Sequence, residues 1–129
     1  MRPNSWDGIM KASTAVSFSS FLLAFSYFVI FNLFDLSSSI LALRIGLSEA
    51  NFVLVSLSSI LGVGLAGVII LVKSIFFAGA GTLLILGVLS KNQRIKRAVL
   101  LTIVLFAAVF AFVSVNNFVD IFSVLMLKL

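Results

Sequence analysis

Cysteine and histidine are both absent from the 129 residues of this chain, and acidic residues number only four. Without cysteine there is no disulfide, no thiol nucleophile and no thiolate metal site. Without histidine the chain lacks the commonest metal ligand and the usual general base. The acids are scattered along the sequence, at Asp7, Asp35, Glu49 and Asp120. We therefore expect no catalytic residue, no metal and no cofactor, and interpret the chain as a non-enzyme.

Charge is scarce as well, at 10% of residues, whereas hydrophobic residues make up 62% and the mean hydropathy is +1.31. Soluble domains are roughly half apolar, and so short a chain cannot bury such an excess in water. Lipid is therefore the expected solvent. The net charge of +5 is first a signal of topology, because basic loops of membrane proteins stay cytoplasmic. Nucleic-acid binding is the second interpretation of the same residues.

Residues 1–50 contain an apolar run long enough to cross a membrane. Residues 15–34 carry no charge, and a helix of this length spans about 30 Å, the thickness of a hydrocarbon core. A positive head precedes the run, and a small-x-small sequence follows at residues 48–50. Two possibilities therefore stay open: this part is a retained membrane helix, or it is a leader removed at that junction.

A short interfacial helix is predicted at residues 36–47. Its apolar residues recur at helical spacing on one face. Asp35 is placed to cap its start and Gly46 to end it.

Residues 52–89 form the longest apolar run, and Lys73 is their single charge. As one straight helix they would extend about 57 Å, nearly twice a hydrocarbon core. The run either turns near Lys73 and crosses twice, for four passes in all, or forms one long bent helix, for three. Three passes place the basic N-terminal head and the basic residues 91–97 on the same side, as the positive-inside rule requires. We favour three passes.

Four of the nine cationic residues lie within residues 91–97, between that run and the uncharged residues 98–115. The pattern predicts a helical hairpin with a basic loop at its tip. Cations at the start of a helix oppose its dipole, so helix stability does not explain them. The alternatives are topology anchoring and binding of anionic lipid or nucleic acid, although no aromatic residue in the loop provides base stacking. The candidate contact residues are Lys91, Arg94, Lys96 and Arg97.

Ser58, Gly62 and Ala66 recur every four residues, so we expect them on one face of a helix. Small residues let helix backbones approach closely in lipid. This stripe is a candidate packing surface, either within the chain or between copies of it.

Two charges near the apolar segments are further candidates. Asp120 follows Asn116 and Asn117, and a carboxylate at membrane depth is a candidate for proton relay. An ion-conducting oligomer is therefore a third class of function. Lys73 would snorkel to the interface from the end of a pass, and in mid-helix it would need a partner.

The layout resembles the pilins of conjugation systems and the related archaeal DNA-exchange pilins. These have a long leader, a small-x-small junction, a first helix rich in small residues, a short basic loop and an apolar second helix. The corresponding parts here are residues 1–50, 48–50, 52–90, 91–97 and 98–129, and the resemblance covers about residues 50–129. It implies membrane subunits that assemble into a hollow filament, with the basic loop lining the lumen, where it meets lipid headgroups and the DNA path.

Together these features predict an all-α integral membrane protein with three spanning helices, or four, and a C-terminal helical hairpin at residues 51–129. The expected function is that of a self-associating, pilin-like subunit of a DNA-exchange filament. The alternative is a small accessory subunit of a larger respiratory or transport complex. Expected partners are copies of the chain, anionic phospholipid and single-stranded DNA along the basic loop, or the subunits of that complex. The expected location is the cell membrane with the loop cytoplasmic, or an extracellular filament after assembly.

Overall fold

Helices account for nearly all of residues 15–47 and 52–127, which the computed structural model describes. These residues contain no strand and four helices: α1 (Phe18–Arg44), α2 (Phe52–Leu61), α3 (Leu65–Leu89) and α4 (Gln93–Met126). Three of them, α1, α3 and α4, are long and apolar enough to cross a membrane. The all-α fold, the three spanning helices and the C-terminal hairpin expected from the sequence are confirmed. The candidate leader junction at residues 48–50 lies outside the described residues.

The first helix is longer than predicted. It begins at Ser17, whose side chain accepts a hydrogen bond from the Ser20 N–H, and it continues without a break to Arg44. The separate interfacial helix predicted at residues 36–47 is wrong, because Asp35 does not cap a new helix and its side chain is engaged by α3 instead. Gly46 ends the helix as expected: its φ of 87° allows the chain to reverse in a Schellman motif.

The apolar run after residue 51 is interrupted by a turn at residues 62–64, so both predictions for it, a turn near Lys73 and one long bent helix, are wrong. Gly62 has a φ of 63°, and the Ser58 hydroxyl donates to the carbonyl of Val63 across the turn at 2.7 Å. In a straight helix Leu54 and Lys73 would lie about 28 Å apart, yet both line one small cavity. The short helix α2 therefore folds back along α3.

The turn corrects the prediction of a packing stripe. Ser58 lies in α2, Gly62 in the turn and Ala66 in α3. They cannot share a face of one helix, because the helix in which that spacing holds does not continue through Gly62.

The connection at the tip of the hairpin is shorter than the predicted loop. Only residues 90–92 separate α3 from α4, and Asn92 caps α4 by accepting from the Arg94 N–H at 2.9 Å. Lys91 lies in this connection, whereas Arg94, Lys96 and Arg97 belong to the first turns of α4. The Asn92 cap starts the helix before the apolar residues begin, which hydropathy alone does not reveal.

The three spanning helices pack with α1 parallel to α4 and α3 antiparallel to both. The Val16 N–H donates to the Gln93 side chain at 3.2 Å, which places the start of α1 beside the start of α4. Further along, the rings of Phe28 and Phe110 lie 5.7 Å apart. The buried core between the helices is narrow, and large apolar side chains cover the outer faces, as suits contact with lipid.

We expect Gly87→Ala to destabilise the bundle, because a Cβ there would lie 2.7–2.8 Å from the buried Phe21 ring and the stiff Val99 side chain. Overpacking of this kind costs about 1–3 kcal/mol. Gly79→Ala in the same helix is the control, because a Cβ there meets nothing within 4 Å and helix propensity improves. SDS titration in mixed micelles, followed by circular dichroism, measures both. Equal stability of the two variants would contradict the close packing at Gly87.

Candidate functional site

Opposite charges meet where the three spanning helices pack together. Asp35 of α1 is fully buried, and the Lys73 side chain of α3 is 15% exposed. The Lys73 ammonium donates a hydrogen bond to Asp35 Oδ2, and this is the one salt bridge within residues 15–47 and 52–127. Burying a charge in an apolar medium is costly unless it is paired. Pairing therefore makes both residues tolerable inside the bundle.

The third spanning helix contributes Asn117 to the same cluster. Its side-chain amide donates to the hydroxyls of Ser38 and Ser39, both at 3.2 Å, and lies 3.4 Å from Asp35 Oδ1. The amide has only two hydrogens, so these three contacts share them. Ser38 in turn donates to the backbone carbonyl of Asp35 at 3.0 Å. The Asp35 carboxylate is thus bound by side chains of α3 and α4, which fixes its height relative to these two helices.

An aromatic ring lies against the Lys73 ammonium. Lys73 Nζ lies 4.5 Å from the centre of the Phe110 ring, a cation–π contact that is stronger away from water. Phe110 packs edge to face against Phe76 at 5.6 Å and in a tilted arrangement against Phe28 at 5.7 Å. These rings shield the ion pair from the side of the bundle that carries the basic connection.

The cluster lies well inside the apolar length of the bundle. At 1.5 Å per residue, Asp35 is about 25 Å from the start of α1 and about 13 Å from its end. Lys73 is about 24 Å from the end of α3 that adjoins the basic connection. Near Asp35, the α1 residues Leu33, Phe34 and Leu41 are exposed on the outside of the bundle. The cluster therefore lies at a depth where the outer surface of the bundle is apolar and suited to lipid.

The polar side chains of the cluster bond to one another. Among the described residues, no continuous row of buried polar side chains leads from the cluster towards the basic end. Ser114, whose hydroxyl donates to the carbonyl of Phe110, and Asn32 are the last buried polar residues in that direction. Beyond them the buried residues are apolar: Phe28, Ala24, Phe21, Ile103 and Val99. Buried Asn32 Oδ1 has no hydrogen-bond partner among the described residues. The arrangement can hold the three helices together.

The predicted candidates divide into two groups. Lys73 was expected to need a partner in mid-helix, and Asp35 is that partner. Asp35 itself was interpreted as a helix cap, and its pairing was missed. The signal was available, because Lys73 is the single charge of its apolar run and Asp35 directly follows another apolar run, and charges inside a membrane usually pair with one another. Asp120 is exposed on α4 and takes no part in the cluster.

The basic residues lie at the other end of the bundle. Lys91, Arg94 and Arg97 are exposed, and Lys96 is half-buried. The bond from Val16 to Gln93 brings the start of α1 to the same end. None of the described residues forms a group of three or more acids suited to a metal ion.

Comparisons with protein-family models, with curated proteins and with solved structures found no significant match to this chain. What the fold and the cluster define is a small helical membrane protein with an intramembrane ion pair.

We expect Lys73→Met to destabilise the bundle by about 3 kcal/mol or more, because it leaves the buried Asp35 carboxylate without its counter-charge. The double variant Asp35→Leu, Lys73→Met removes both charges and is expected to recover most of that loss. SDS titration of the two variants and of Asp35→Leu completes the double-mutant cycle. A double variant as unstable as the sum of the single ones would show that the two charges do not act as a pair.

Proposed function

We propose that this chain is a non-enzymatic, self-associating membrane subunit that binds anionic phospholipid at its basic end. The observation that carries the proposal is the gathering of four cations at one end of an apolar bundle, beside the start of α1. In the membrane such an end meets the headgroup region, where anionic lipids attract each cation by roughly 1 kcal/mol.

The position of the cations within α4 supports a ligand over helix stability. Arg94, Lys96 and Arg97 occupy the first turns, where the positive end of the helix dipole opposes them. A layer of phosphate groups offers cations in such positions a compensating attraction. By the positive-inside rule we place this end, and with it the N-terminal head, on the cytoplasmic side.

The outer apolar surface is compatible with self-association. The outer face of α4 alone exposes Phe112, Val115, Val119 and Phe122. Lipid tails satisfy such a surface as well as protein does, so the preference for copies of the chain comes from the resemblance to conjugative pilins. On that resemblance we propose a pilin-like assembly of the DNA-exchange type. Its lumen would be lined by Lys91, Arg94, Lys96 and Arg97, and single-stranded DNA would pass along them.

The ion pair bears on how such an assembly is built. Removal of residues 1–50 as a leader would take away Asp35 and leave the Lys73 ammonium without an acid. It would also uncover the buried face of α4 that includes Ile103 and Phe110. We therefore propose that the assembling unit keeps α1, unlike the pilins that it resembles.

The second candidate is a small accessory subunit of a larger respiratory or transport complex in the membrane. The retention of α1 favours it, because an intact three-helix unit with an apolar outer surface suits a place between the helices of other subunits. Stoichiometry separates the candidates, since a pilin-like subunit is found in many copies and an accessory subunit in a fixed ratio to its partners.

Replacing Lys91, Arg94, Lys96 and Arg97 by Gln is expected to weaken binding of phosphatidylglycerol about tenfold or more. Binding of zwitterionic phosphatidylcholine should hardly change. Native mass spectrometry of the delipidated protein, titrated with each lipid, measures the difference. Arg44→Gln is the control, because it removes a cation from the opposite end of α1. If it weakened phosphatidylglycerol binding as much as the four replacements do, the basic end would not be the lipid site.

Because the chain has no cysteine, one introduced cysteine tests self-association cleanly. Val119→Cys and Leu23→Cys, on exposed faces of α4 and α1, are expected to cross-link copies in native membranes. Ala80→Cys is the control, because that side chain is fully buried. Intact mass of the product shows whether residues 1–50 are present. A protein found only in a fixed ratio to another polypeptide would reject self-association and support the accessory subunit.

A further inference from the structure

A cavity of about 210 Å³ lies beside the ion pair and is not used by the proposed function. Its walls come from all four helices: α1 contributes Asp35, α2 contributes Leu54, α3 contributes Lys73 and Phe76, and α4 contributes Phe110. The remaining lining residues are aliphatic. The cavity thus combines one charged corner with apolar and aromatic walls, which is the usual character of a small-molecule site.

The size of the cavity limits what it can hold. In an engineered protein, an apolar cavity of about 150 Å³ stays dry and binds benzene. The larger cavity here has room for one six-membered ring with small substituents. The Phe76 and Phe110 rings meet edge to face at 5.6 Å, and a ligand ring beside them would gain the same kind of contact.

The charges limit the ligand further. Asp35 and Lys73 neutralise each other, so an ionic ligand would bring an unpaired charge into an apolar site, which is costly. A neutral ligand avoids that cost. The ammonium has three hydrogens. One is donated to Asp35, and the Phe110 ring lies over the group at 4.5 Å. A hydrogen remains for an oxygen acceptor at the charged corner of the cavity.

We propose that this cavity binds a neutral, lipid-soluble molecule with a single ring that carries carbonyl or hydroxyl oxygens, the chemistry of a quinone or phenol head group. One ring oxygen accepts from Lys73, and the ring lies against Phe76 and Phe110. Leu54 of α2 contributes to the wall of the same cavity. Because α2 is joined to α3 by the turn at residues 62–64, this wall belongs to a separate short helix rather than to the spanning bundle.

Duroquinone is the probe, since it is a neutral single ring with two carbonyls and no tail. The full chain in nanodiscs is titrated by equilibrium dialysis against empty nanodiscs as the blank. We expect saturable binding of one molecule per chain. Durene, the same tetramethylated ring without oxygens, should bind about tenfold or more weakly, because it lacks the bond to a charged donor. The tetramethylbenzoate anion should bind more weakly than duroquinone as well.

Leu54→Trp is expected to fill the cavity and abolish binding while leaving the ion pair in place. Val55→Trp, at the next residue of α2, is the matched control, because Val55 is exposed and does not line the cavity. Thermal unfolding checks that both variants fold. Absence of saturable duroquinone binding would overturn the proposal and leave the cavity as space for water around the ion pair. Equal binding of durene, or full binding by Leu54→Trp, would overturn it too. Self-association and lipid binding are measured separately, so neither outcome depends on the proposed function.

Discussion

A charge placed among lipid and apolar side chains must find an opposite charge within reach, and in this protein that requirement links every spanning helix. Asp35 and Lys73 satisfy it for α1 and α3, and Asn117 brings α4 to the same point. Apolar helices in lipid can slide past one another at little cost, because one large aliphatic contact is much like the next. A polar contact cannot slide. The cluster therefore sets the relative height of the three helices, and the aromatic packing around Phe110 follows from it.

Near the basic end of the bundle, the backbone of α3 packs closely against α1 and α4, and this contact complements the polar cluster. Gly87 lets α3 come so near to α1 and α4 that Phe21 and Val99 occupy the space where a side chain would be. Two contacts of different chemistry, about 21 Å apart along α3 at the usual rise, thus hold a bundle with a narrow core. Between them the buried side chains are mostly aromatic or small, as at Phe28 and Ala80.

Much of this fold could be predicted from hydropathy and charge. Long apolar runs with at most one charge indicate spanning helices, and the basic residues around Arg94 indicate the tip of a hairpin. The boundaries were harder to predict. Asp35 ends an apolar run on a hydropathy scale, yet α1 passes through it, because Lys73, 38 residues away in the sequence, pairs with the carboxylate. The turn at Gly62 could not be predicted from the sequence either. A glycine fits both a helix-packing stripe and a turn of the chain, and only the tertiary contacts of α2 distinguish the two. The cavity at Leu54 depends on that reversal and could not be inferred without it.

The separation of Asp35 and Lys73 along the chain has a consequence for how the protein is made. The two positions are 38 residues apart in the sequence, and ribosomes add about 5–20 residues per second. At those rates Asp35 leaves the ribosome about 2–8 s before its partner. Until α3 arrives, the carboxylate must stay at a hydrated surface, take up a proton or be shielded by the insertion machinery. The first helix therefore cannot settle at its final depth alone, and the membrane insertion of α1 is completed only by the synthesis of α3.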